Sequence, residues 1–550
     1  MSAAKSPPPA KARSRADRRR LRALIDAGEQ LEAHGLLAGS ERFAQRLARW
    51  KASAEPVVPP DRAQPDRAKA DRAKADRAKA AKARILTRPQ AGPSRYRRLA
   101  SVLLWLGLPF AAAGSLLRRA RPAKARTTPL TVHLGMATTL LHQRGRYRHP
   151  GRRAVVLGAP DLGQNLLVLG GIGSGKTTSV IQPVLLQCLK QGVGGLIFDI
   201  KGDFGVAAAA LSRSAQRSLT VIGPNRRAFN LLRGLTPEAA AGFLKSALLL
   251  TGSPSDPFWV DTAVELCRNA LGVLSFIPEH YSLAGLYEYL FCDDVRARWD
   301  RQLSVEAVGL SPQALRLLRS YQSYHEGVFT RFDAKVVAGV LASAAQVLTP
   351  FTHPDLVDAF CPPVDALSID GLGAGEIFLV DLPLAVWGVG AKVIYTFLKL
   401  RFFQYMQRRP APERSRPVLF LCDEYQEIVS ANKDGLSDLN FWDKGRAFGT
   451  VGIISAQSIA SFYAALGDRD LADTLLQNFR QKLCLRTEDL HTIHYFERLL
   501  GRVACPDRRD IPLTSALLIR RLYNRQALAV VSVAGEAMED VIDLPAVFVD

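Results

Sequence analysis

Residues 170–177 bring glycines, a lysine and a threonine together at a spacing suited to binding phosphate. Their pattern is Gly170-x-x-x-x-Gly175-Lys176-Thr177, set between an apolar run over 166–169 and an apolar stretch typical of a helix. Glycines let the backbone turn so that successive N–H groups approach phosphate oxygens, and the following helix directs its positive N-terminal end at the same charge. The pattern predicts a phosphate loop that binds a nucleoside triphosphate.

The polar residues of this loop have distinct predicted roles. Lys176 is expected to reach the β- and γ-phosphates, and the hydroxyl of Thr177 to bind Mg²⁺. A glycine turn that merely precedes a lysine is the alternative, but the flanking strand and helix favour a true phosphate loop. The full set of predicted nucleotide contacts is Gly170, Gly171, Gly173, Ser174, Gly175, Lys176, Thr177 and Thr178.

A pair of carboxylates, Asp423 and Glu424, follows an uninterrupted apolar run over 418–422. Such a run is typical of a strand buried on both faces of a parallel sheet. Asp423 is placed to bind Mg²⁺, directly or through water, and Glu424 to polarise the attacking water. Two solvated acids are the alternative, but five preceding apolar residues favour the functional interpretation. An adjacent Asp-Glu pair fits ATP hydrolysis better than small-molecule kinase chemistry.

Basic charge is concentrated in the N-terminal region. Residues 1–153 contain 35 of the 73 Lys and Arg residues, against only 10 of the 51 Asp and Glu residues. The net charge is therefore +25 over 1–153 and −3 over 154–550. Any nucleic-acid contact made by the later part must come from local basic patches and not from a global field.

The first 98 residues are interpreted as a basic extension and linker, partly disordered, with short helices within 17–50. Three tandem copies of Asp-Arg-Ala-Lys-Ala occupy 66–80. A five-residue period builds no apolar face, so these repeats predict a solvated helical spacer or a flexible segment. A role in binding nucleic acid or lipid is the open alternative.

Residues 99–117 form a 19-residue stretch without charge, and arginines flank it on both sides. At about 1.5 Å per helical residue the stretch is just long enough to cross a bilayer core. We interpret it as a candidate transmembrane helix. A buried helix or a membrane-surface helix is the alternative, and the arginines at both ends leave the orientation open.

The rest of the chain has the pattern of an α/β protein. Apolar runs typical of buried strands occur at 166–169, 194–199, 376–383, 418–424, 449–458, 482–486 and 527–533. Helices are expected between them, including 387–408 and 432–447. These patterns predict a mostly parallel sheet whose ATPase domain comprises 150–235 and 366–550, interrupted by an all-α insertion over 236–365.

The compartment is predicted from the cysteines and the first residues. The seven cysteines are scattered, and none has the spacing of a CxxC or Cys/His metal site. This usage is typical of reduced thiols in a cytoplasmic protein. The first 20 residues are rich in Pro, Ala and Arg and lack the apolar segment of a signal peptide.

At this point the sequence resembles the type IV secretion coupling proteins, the membrane ATPases of bacterial conjugation, which are related to FtsK-like DNA translocases. The segments that carry the resemblance cover roughly 150–540 in the family's order. They are GGIGSGKTT, IFDIKGDF, DPFW, LCDEYQ, GRAFGTVGIISAQS and LLQNFRQKLCLRTED. The resemblance implies a RecA-like P-loop domain in a homo-hexameric ring, with ATP and Mg²⁺ between subunits, a DNA-sized central channel and a cytoplasmic helical domain.

The resemblance also implies roles for two further residues. Gln457 stands where the family has its γ-phosphate-sensing glutamine, at the end of a strand beside that of Glu424. Arg446, eleven residues earlier, stands where the family places an arginine that acts on the neighbouring subunit's nucleotide. An arginine supplied in trans stabilises charge on the transferring phosphoryl group. A surface helix arginine is the equally weighted alternative for Arg446.

The resemblance predicts an inner-membrane protein of bacteria, with most of the chain in the cytoplasm. Its leading function is an ATP-driven motor that delivers relaxase-bound single-stranded DNA to a type IV secretion channel. Export of protein effectors, a soluble motor on double-stranded DNA, and a non-enzymatic adaptor that binds ATP are the alternatives. The family usually has two N-terminal membrane helices, whereas this chain has one candidate, so the membrane topology and the attachment to the channel stay open.

Overall fold

The structure, a computed structural model, describes residues 130–141, 152–252, 257–363, 367–432, 435–505, 508–545 and 547. The predicted extension over 1–98, its helices within 17–50 and the candidate membrane segment 99–117 lie outside the described residues. Among the described residues one helical segment, Ala334–Thr352, is long and apolar enough to span a membrane by length and composition alone. The core helix of a soluble protein passes the same test, so this segment is weak support for a membrane span.

Thirteen strands occur in the described chain, and eleven of them form one sheet. They are β1 (Thr131–Ala137), β2 (Ala154–Gly158), β3 (Leu166–Leu169), β4 (Gly194–Asp199), β5 (Thr220–Ile222), β6 (Ile377–Asp381), β7 (Val418–Cys422), β8 (Thr450–Ala456), β9 (Gln481–Cys484), β10 (Arg502–Cys505), β11 (Arg508–Pro512), β12 (Gln526–Val533) and β13 (Glu536–Asp543). The large sheet has the order β2-β1-β13-β12-β9-β3-β8-β7-β4-β6-β5, and β10 pairs with β11 in a separate hairpin.

The seven strands from β9 to β5 in this order are mutually parallel. Their residues alternate between two hydrophobic clusters, because successive side chains of a strand point to opposite faces. In β4, Leu196 and Phe198 belong to one cluster and Ile197 to the other. Both faces are therefore covered, as a parallel sheet requires. The predicted α/β class with a mostly parallel sheet is confirmed.

The remaining four strands extend the sheet in antiparallel fashion. β12 pairs with β9, β13 with β12, β1 with β13 and β2 with β1. The sequence analysis predicted a strand over 527–533 but not β1, β2 or β13. β1 and β2 largely alternate buried residues with more exposed ones, and β13 begins and ends with exposed residues, so all three lack the continuous apolar run that marks the central strands.

Helices precede and follow the parallel strands. Before the helical region lie α1 (Ala159–Leu162), α2 (Gln182–Lys190) and α3 (Gly205–Ser214). A π-helical turn, Thr177–Ile181, joins the phosphate loop to α2. After the helical region lie α11 (Gly371–Ala374), α12 (Leu384–Arg408), α13 (Asp438–Phe441), α14 (Ile459–Leu466), α15 (Arg469–Gln477), α16 (Leu490–Leu500) and α17 (Ala516–Arg520), with 3₁₀ turns at Ala411–Glu413, Tyr425–Glu427 and Gly445–Phe448.

Between β5 and α11 the described chain contains helices and no strand. Its helices are α4 (Pro237–Leu250), α5 (Pro257–Leu274), α6 (Leu283–Phe291), α7 (Asp293–Glu306), α8 (Pro312–Gly327), α9 (Ala334–Leu348) and α10 (Pro354–Phe360), with 3₁₀ turns at Pro278–His280, Ala307–Gly309, Phe329–Arg331 and Thr349–Thr352. Side-chain oxygens cap four of these helices, at Thr236, Ser282, Ser311 and Asp333. The domain boundaries at 236 and 365 stay a prediction.

The helix predicted over 432–447 is wrong. The described part of that segment contains only the short α13 and the 3₁₀ turn that ends at Phe448. Asp438 is fully buried and pairs with Lys399 of α12, so the segment folds around this contact and not along a helix axis. Gly435 and Gly445 further lower the helix propensity of the segment.

Candidate nucleotide site

Four adjacent parallel strands bring Lys201 and all of the predicted site residues except Arg446 to one edge of the sheet. β3 leads into the phosphate loop, β7 into Asp423 and Glu424, β8 into Gln457, and β4 into Lys201. Their order in the sheet is β3-β8-β7-β4, and the carboxyl ends of parallel strands form the usual ligand crevice. A cavity of about 230 Å³ lies there, lined by Gly171, Ile172, Gly173, Ser174, Gly175, Lys176, Thr177, Thr178, Lys201, Asp423, Glu424 and Gln457.

The phosphate loop has the backbone that its glycines permit. Gly173 and Gly175 have φ angles of +70° and +88°, which residues other than glycine rarely adopt. Lys176 is only 8% exposed, and its Nζ donates to the carbonyl oxygen of Gly170 at 2.7 Å across the loop. Burial lowers the pKa of Lys176, although the charges of Asp423 and Glu424 act in the opposite direction.

Thr177 and Asp423 form the predicted magnesium pair. The Oγ1 of Thr177 donates to Oδ2 of Asp423 at 2.9 Å, and Ser455 of β8 donates to the other carboxylate oxygen. A hydroxyl and a carboxylate in contact are the oxygen ligands that Mg²⁺ takes in phosphate sites, where it usually also keeps several waters. Thr177 and Asp423 therefore fit the ion, and both line the cavity where phosphate oxygens would complete the coordination.

Glu424, which lines the same cavity, is held by two side chains. Lys201 forms an ion pair with Oε1, and Nε2 of Gln426 donates to Oε2 at 2.7 Å. Burial alone raises the pKa of Glu424, but the hydrogen bonds from Lys201 and Gln426 and the charges of Lys201 and Lys176 hold it below its ordinary value. Glu424 is therefore a carboxylate at neutral pH, in the protonation state that a group polarising water requires.

Two polar groups, one in the cavity and one beside it, lack a hydrogen-bond partner in the described chain. Ser174 Oγ and Gln426 Oε1 are buried and make no hydrogen bond there. A buried polar group costs free energy unless it is paired, so a ligand that binds the loop gains by contacting Ser174. Together with two lysines and the loop N–H groups, this arrangement suits the oxygens of a triphosphate.

The structure separates Arg446 from the other predicted site residues. Arg446 is exposed in the 3₁₀ turn Gly445–Phe448, which precedes β8, whereas Gln457 follows β8. The seven residues of β8, about 20 Å of extended chain, lie between these two positions. The side chain of Arg446 packs beside Gly163 and makes no hydrogen bond or ion pair within the described residues. Arg446 thus lies at the opposite edge of the sheet from its own subunit's nucleotide cavity.

The sequence analysis missed three polar residues of the site: Lys201, Gln426 and Ser455. Lys201 and Gln426 lie within segments that carried the family resemblance, yet no role was assigned to them. A lysine two residues after the buried carboxylate of Asp199, at the end of a strand, is the signal that could have indicated Lys201. Ser455 is the sixth residue of the buried strand β8, and only the pairing of β8 with β7 brings it to Asp423.

Comparisons with known proteins agree with this geometry. Residues 390–509 match the family model of the type IV secretion-system coupling protein DNA-binding domain. The predicted resemblance to type IV secretion coupling proteins is confirmed. No curated protein matches the chain.

Solved structures of the bacterial conjugative coupling protein TrwB share the fold. The unbound form is 15% identical with a TM-score of 0.54, and the match covers 76% of this chain and 95% of TrwB. The complex with the GTP analogue GDPNP is 16% identical with a TM-score of 0.56, covering 77% of this chain and 96% of TrwB. The complex with ADP and Mg²⁺ is 17% identical with a TM-score of 0.54, covering 70% and 86%. The predicted RecA-like P-loop fold is confirmed.

Proposed function

We propose that this protein is an ATP-hydrolysing coupling protein that moves relaxase-bound single-stranded DNA to a type IV secretion channel. The observation that carries the proposal is the convergence of Lys176, Thr177, Asp423, Glu424 and Gln457 on one cavity at the carboxyl edge of the sheet. A protein that only binds a nucleotide needs the phosphate loop, but it has no need of Glu424 next to the magnesium ligand.

The chemistry follows from the positions of the side chains. Lys176 and the loop N–H groups bind the phosphates of ATP, and Thr177 and Asp423 hold Mg²⁺, which neutralises charge on the β- and γ-phosphate oxygens. Glu424 accepts a hydrogen bond from the attacking water and orients it towards the γ-phosphorus. Gln457, half-buried at the end of β8, contacts the γ-phosphate and distinguishes ATP from ADP.

DNA as the transported substrate is supported by the family model over 390–509, which describes a DNA-binding domain. The nucleotide is supported by TrwB, whose solved complexes contain GDPNP, ADPNP, or ADP with Mg²⁺. A homo-hexamer at the bacterial inner membrane, working with a relaxase and with channel components, completes the proposal. These partners rest on the family resemblance.

The test is the steady-state ATPase rate of the full chain, measured alone, with single-stranded DNA and with double-stranded DNA, beside the oligomer size at each condition. We expect turnover that single-stranded DNA stimulates and that accompanies ring formation. Lys176→Ala is the control and should abolish turnover in every condition, since it removes the phosphate-binding lysine.

Each other outcome supports a different function. Stimulation by double-stranded DNA alone, together with failure to sediment with membranes, supports a soluble duplex motor. Turnover that neither DNA affects supports an ATPase for protein effectors. Negligible turnover in all conditions, with nucleotide still bound, contradicts the enzyme and supports an adaptor.

A further inference from the structure

A second cleft, whose lining residues are distinct from those of the nucleotide cavity, lies between α14, α16 and the β10–β11 hairpin. Its volume is about 640 Å³, within the range of cavities that bind ligands. Its lining residues are Tyr463, His491, His494, Glu497, Arg498, Gly501, Arg502 and Pro512. We refer to this site as the basic cleft.

The basic character of the cleft comes from one face of α16. His491, His494 and Arg498 follow each other at intervals of three and four residues, so they lie on the same side of the helix. All three are exposed, as is Arg502 on the facing hairpin. Arg498 makes no hydrogen bond or ion pair within the described residues. Arg502 donates to the backbone carbonyl of Asp510, so its charge is not paired with a carboxylate in that contact.

The carboxylate of the cleft is already engaged. Oε1 of Glu497 accepts a hydrogen bond from the backbone N–H of Ala516 at 2.9 Å, at the start of α17. Oδ1 of Asp473 accepts a hydrogen bond from the hydroxyl of Tyr463, a lining residue, at 2.9 Å. Glu497 keeps its negative charge in its hydrogen bond with Ala516, so the cleft has two arginines, Arg498 and Arg502, against one lining carboxylate. This is a local positive patch on a part of the chain, 154–550, whose net charge is −3.

Two hydrogen bonds from backbone N–H groups connect the segment that carries the basic cleft to the nucleotide cavity. The N–H of Ile459, two residues after Gln457, donates to Oγ1 of Thr492 in α16 at 2.9 Å. The N–H of Gly171 in the phosphate loop donates to the carbonyl of Arg486, just before α16, at 2.9 Å. A ligand that shifts α16 thus acts on both the phosphate loop and the segment that follows the γ-phosphate sensor.

We propose that the basic cleft binds the sugar-phosphate backbone of single-stranded DNA and transmits its presence to the nucleotide cavity through α16. The proposal rests on the proposed function, because it takes that function's DNA as the ligand. Arginines attract phosphates without reading base sequence, and positive grooves of this kind follow the backbone of single strands. All of the lining residues except Pro512 fall within the 390–509 match to a DNA-binding domain.

The experiment measures the DNA concentration that gives half-maximal stimulation of the ATPase rate of the full chain. Arg498→Ala/Arg502→Ala is compared with the parent over a range of salt concentrations. The basic region 1–153 is present in both proteins, so any DNA that it binds contributes equally. We expect the half-maximal DNA concentration to rise about tenfold near physiological salt, and its logarithmic salt dependence to become shallower by about two, one for each lost phosphate contact.

Two further variants separate charge at this cleft from charge in general. Arg498→Lys/Arg502→Lys keeps both charges and should retain most of the stimulation, because the sequence-independent attraction of phosphates depends on cationic charge, which lysine also supplies. Arg226→Ala/Arg227→Ala removes two exposed arginines next to β5, at the far edge of the sheet, and should behave like the parent.

The outcomes distinguish this proposal from the proposed function. Stimulation of the parent and the Arg498→Ala/Arg502→Ala variant by the same concentration of single-stranded DNA would contradict DNA binding at the basic cleft, but it would be consistent with the proposed function. An equal loss in Arg226→Ala/Arg227→Ala also contradicts DNA binding at the basic cleft, because the effect then reports total charge. A parent that no DNA stimulates contradicts both proposals.

Discussion

Glu424 is a residue in a costly backbone conformation. Its φ of +58° lies in the left-handed region, which costs a residue with a side chain about 1–3 kcal/mol. The conformation turns the carboxylate from the end of β7 into the nucleotide cavity, where Lys201 and Gln426 hold it. Strain of this kind is characteristic of functional sites, and it agrees with the role assigned to Glu424.

The first prediction concerns Glu424→Gln. The amide keeps the size of the side chain and leaves the phosphate loop untouched, but it cannot accept a proton from the attacking water. We expect ATP affinity within a few-fold of the parent and a loss of turnover of about 10²–10⁴-fold, measured by nucleotide titration and single-turnover hydrolysis. Asp423→Ala is the contrast and should also weaken the Mg²⁺ dependence of binding. Hydrolysis by Glu424→Gln at the parent rate would show that Glu424 has another role.

The second prediction concerns Lys482, which is 5% exposed in β9. Burial, helped by the charge of Arg480, lowers the pKa of Lys482 to about 8. The unfolded chain therefore binds the proton of Lys482 more tightly than the folded chain does. The resulting destabilisation is complete below about pH 8, and it decreases as the pH rises from 8 towards 10.5. Lys482→Met should stabilise the protein at pH 7 by up to about 3 kcal/mol.

The check on Lys482 is the difference in thermal midpoint between variant and parent at several pH values. We expect the advantage of Lys482→Met to shrink steadily from pH 7 to pH 10, where the parent lysine folds neutral at little cost. A difference that stays constant over this range means that packing, and not protonation, sets the effect. Lys392→Met, on the half-exposed side of α12, is the control for removing a lysine.

At the scale of elements, a buried ion pair joins α12 to the segment after β7. Lys399 of α12 and Asp438 of α13 are both fully buried, and Nζ lies 2.6 Å from Oδ2. Asp438 also accepts hydrogen bonds from the N–H of Ser430, at 2.7 Å, and from the hydroxyl of Tyr425. Tyr425 follows Glu424 directly, so this pair fixes the segment that carries the proposed catalytic carboxylate.

The third prediction tests that pair with a matched control on the same helix. Lys399→Met leaves the charge of Asp438 buried without its partner, which costs about 3–5 kcal/mol. Lys392→Met breaks the half-exposed pair with Glu427, whose atoms lie 3.6 Å apart, and should cost no more than about 1 kcal/mol. Thermal midpoints and ATPase rates of both variants are compared. Equal midpoints would contradict a structural role for the Lys399–Asp438 pair.

The sequence predicted the elements that are buried on both faces and missed those that are not. The largely apolar runs of β3, β4, β7 and β8 were clear because strands buried on both faces of a parallel sheet are rich in apolar residues. β1 and β13 carry polar residues on their exposed face, and Asp438 looked like a surface residue of a helix. The burial of Asp438 depends on Lys399, thirty-nine residues away, and local periodicity carries no record of that contact.

The site was predictable to the extent that one local motif defines it. The phosphate loop and the Asp423-Glu424 pair are each a short motif that can be recognised locally in the sequence. Lys201, Ser455 and Gln426 reach the site only through the order and pairing of the strands. Gln457 was predicted from the family resemblance, and the structure places it in the cavity. The catalytic roles of all these residues stay predictions until variants are measured.

At the scale of the whole molecule, Arg446 faces away from its own subunit's nucleotide. The fourth prediction is that Arg446 acts on the site of a neighbour, so that specific activity rises with protein concentration or with DNA that assembles a ring. Arg446→Ala should bind ATP almost normally and lose about 10³–10⁵-fold in turnover, as arginine fingers do in related phosphoryl transfer. ATP titration and the ATPase rate over a range of protein concentrations measure both effects.

Mixing two inactive proteins gives the decisive version of that test. Rings that combine Arg446→Ala and Glu424→Gln subunits contain some sites with Glu424 from one subunit and Arg446 from the next. Partial activity should therefore return. Co-assembly without any recovery would show that Arg446 is a structural surface residue.

The fifth prediction is that a chain lacking 1–121 is soluble, largely monomeric and weakly active. The deletion removes the candidate membrane segment 99–117 and most of the basic extension, and leaves β1 and everything after it. Fractionation with membranes, gel filtration and the ATPase rate measure the three properties. A truncated protein that still sediments with membranes would contradict the assignment of 99–117.

The outer part of the sheet imposes an order on biosynthesis. β1 joins the sheet through β13, and both the backbone N–H and the hydroxyl of Thr138 donate to the carbonyl oxygen of Val541, across 403 residues of chain. A ribosome adds about 5–20 residues per second, so β1 and β2 wait between about 20 and 80 s for their partner. During that time they are a two-stranded ribbon with an open edge, which is marginally stable and prone to pair with other chains. The nascent protein should therefore depend on a chaperone that shields this ribbon until β13 emerges.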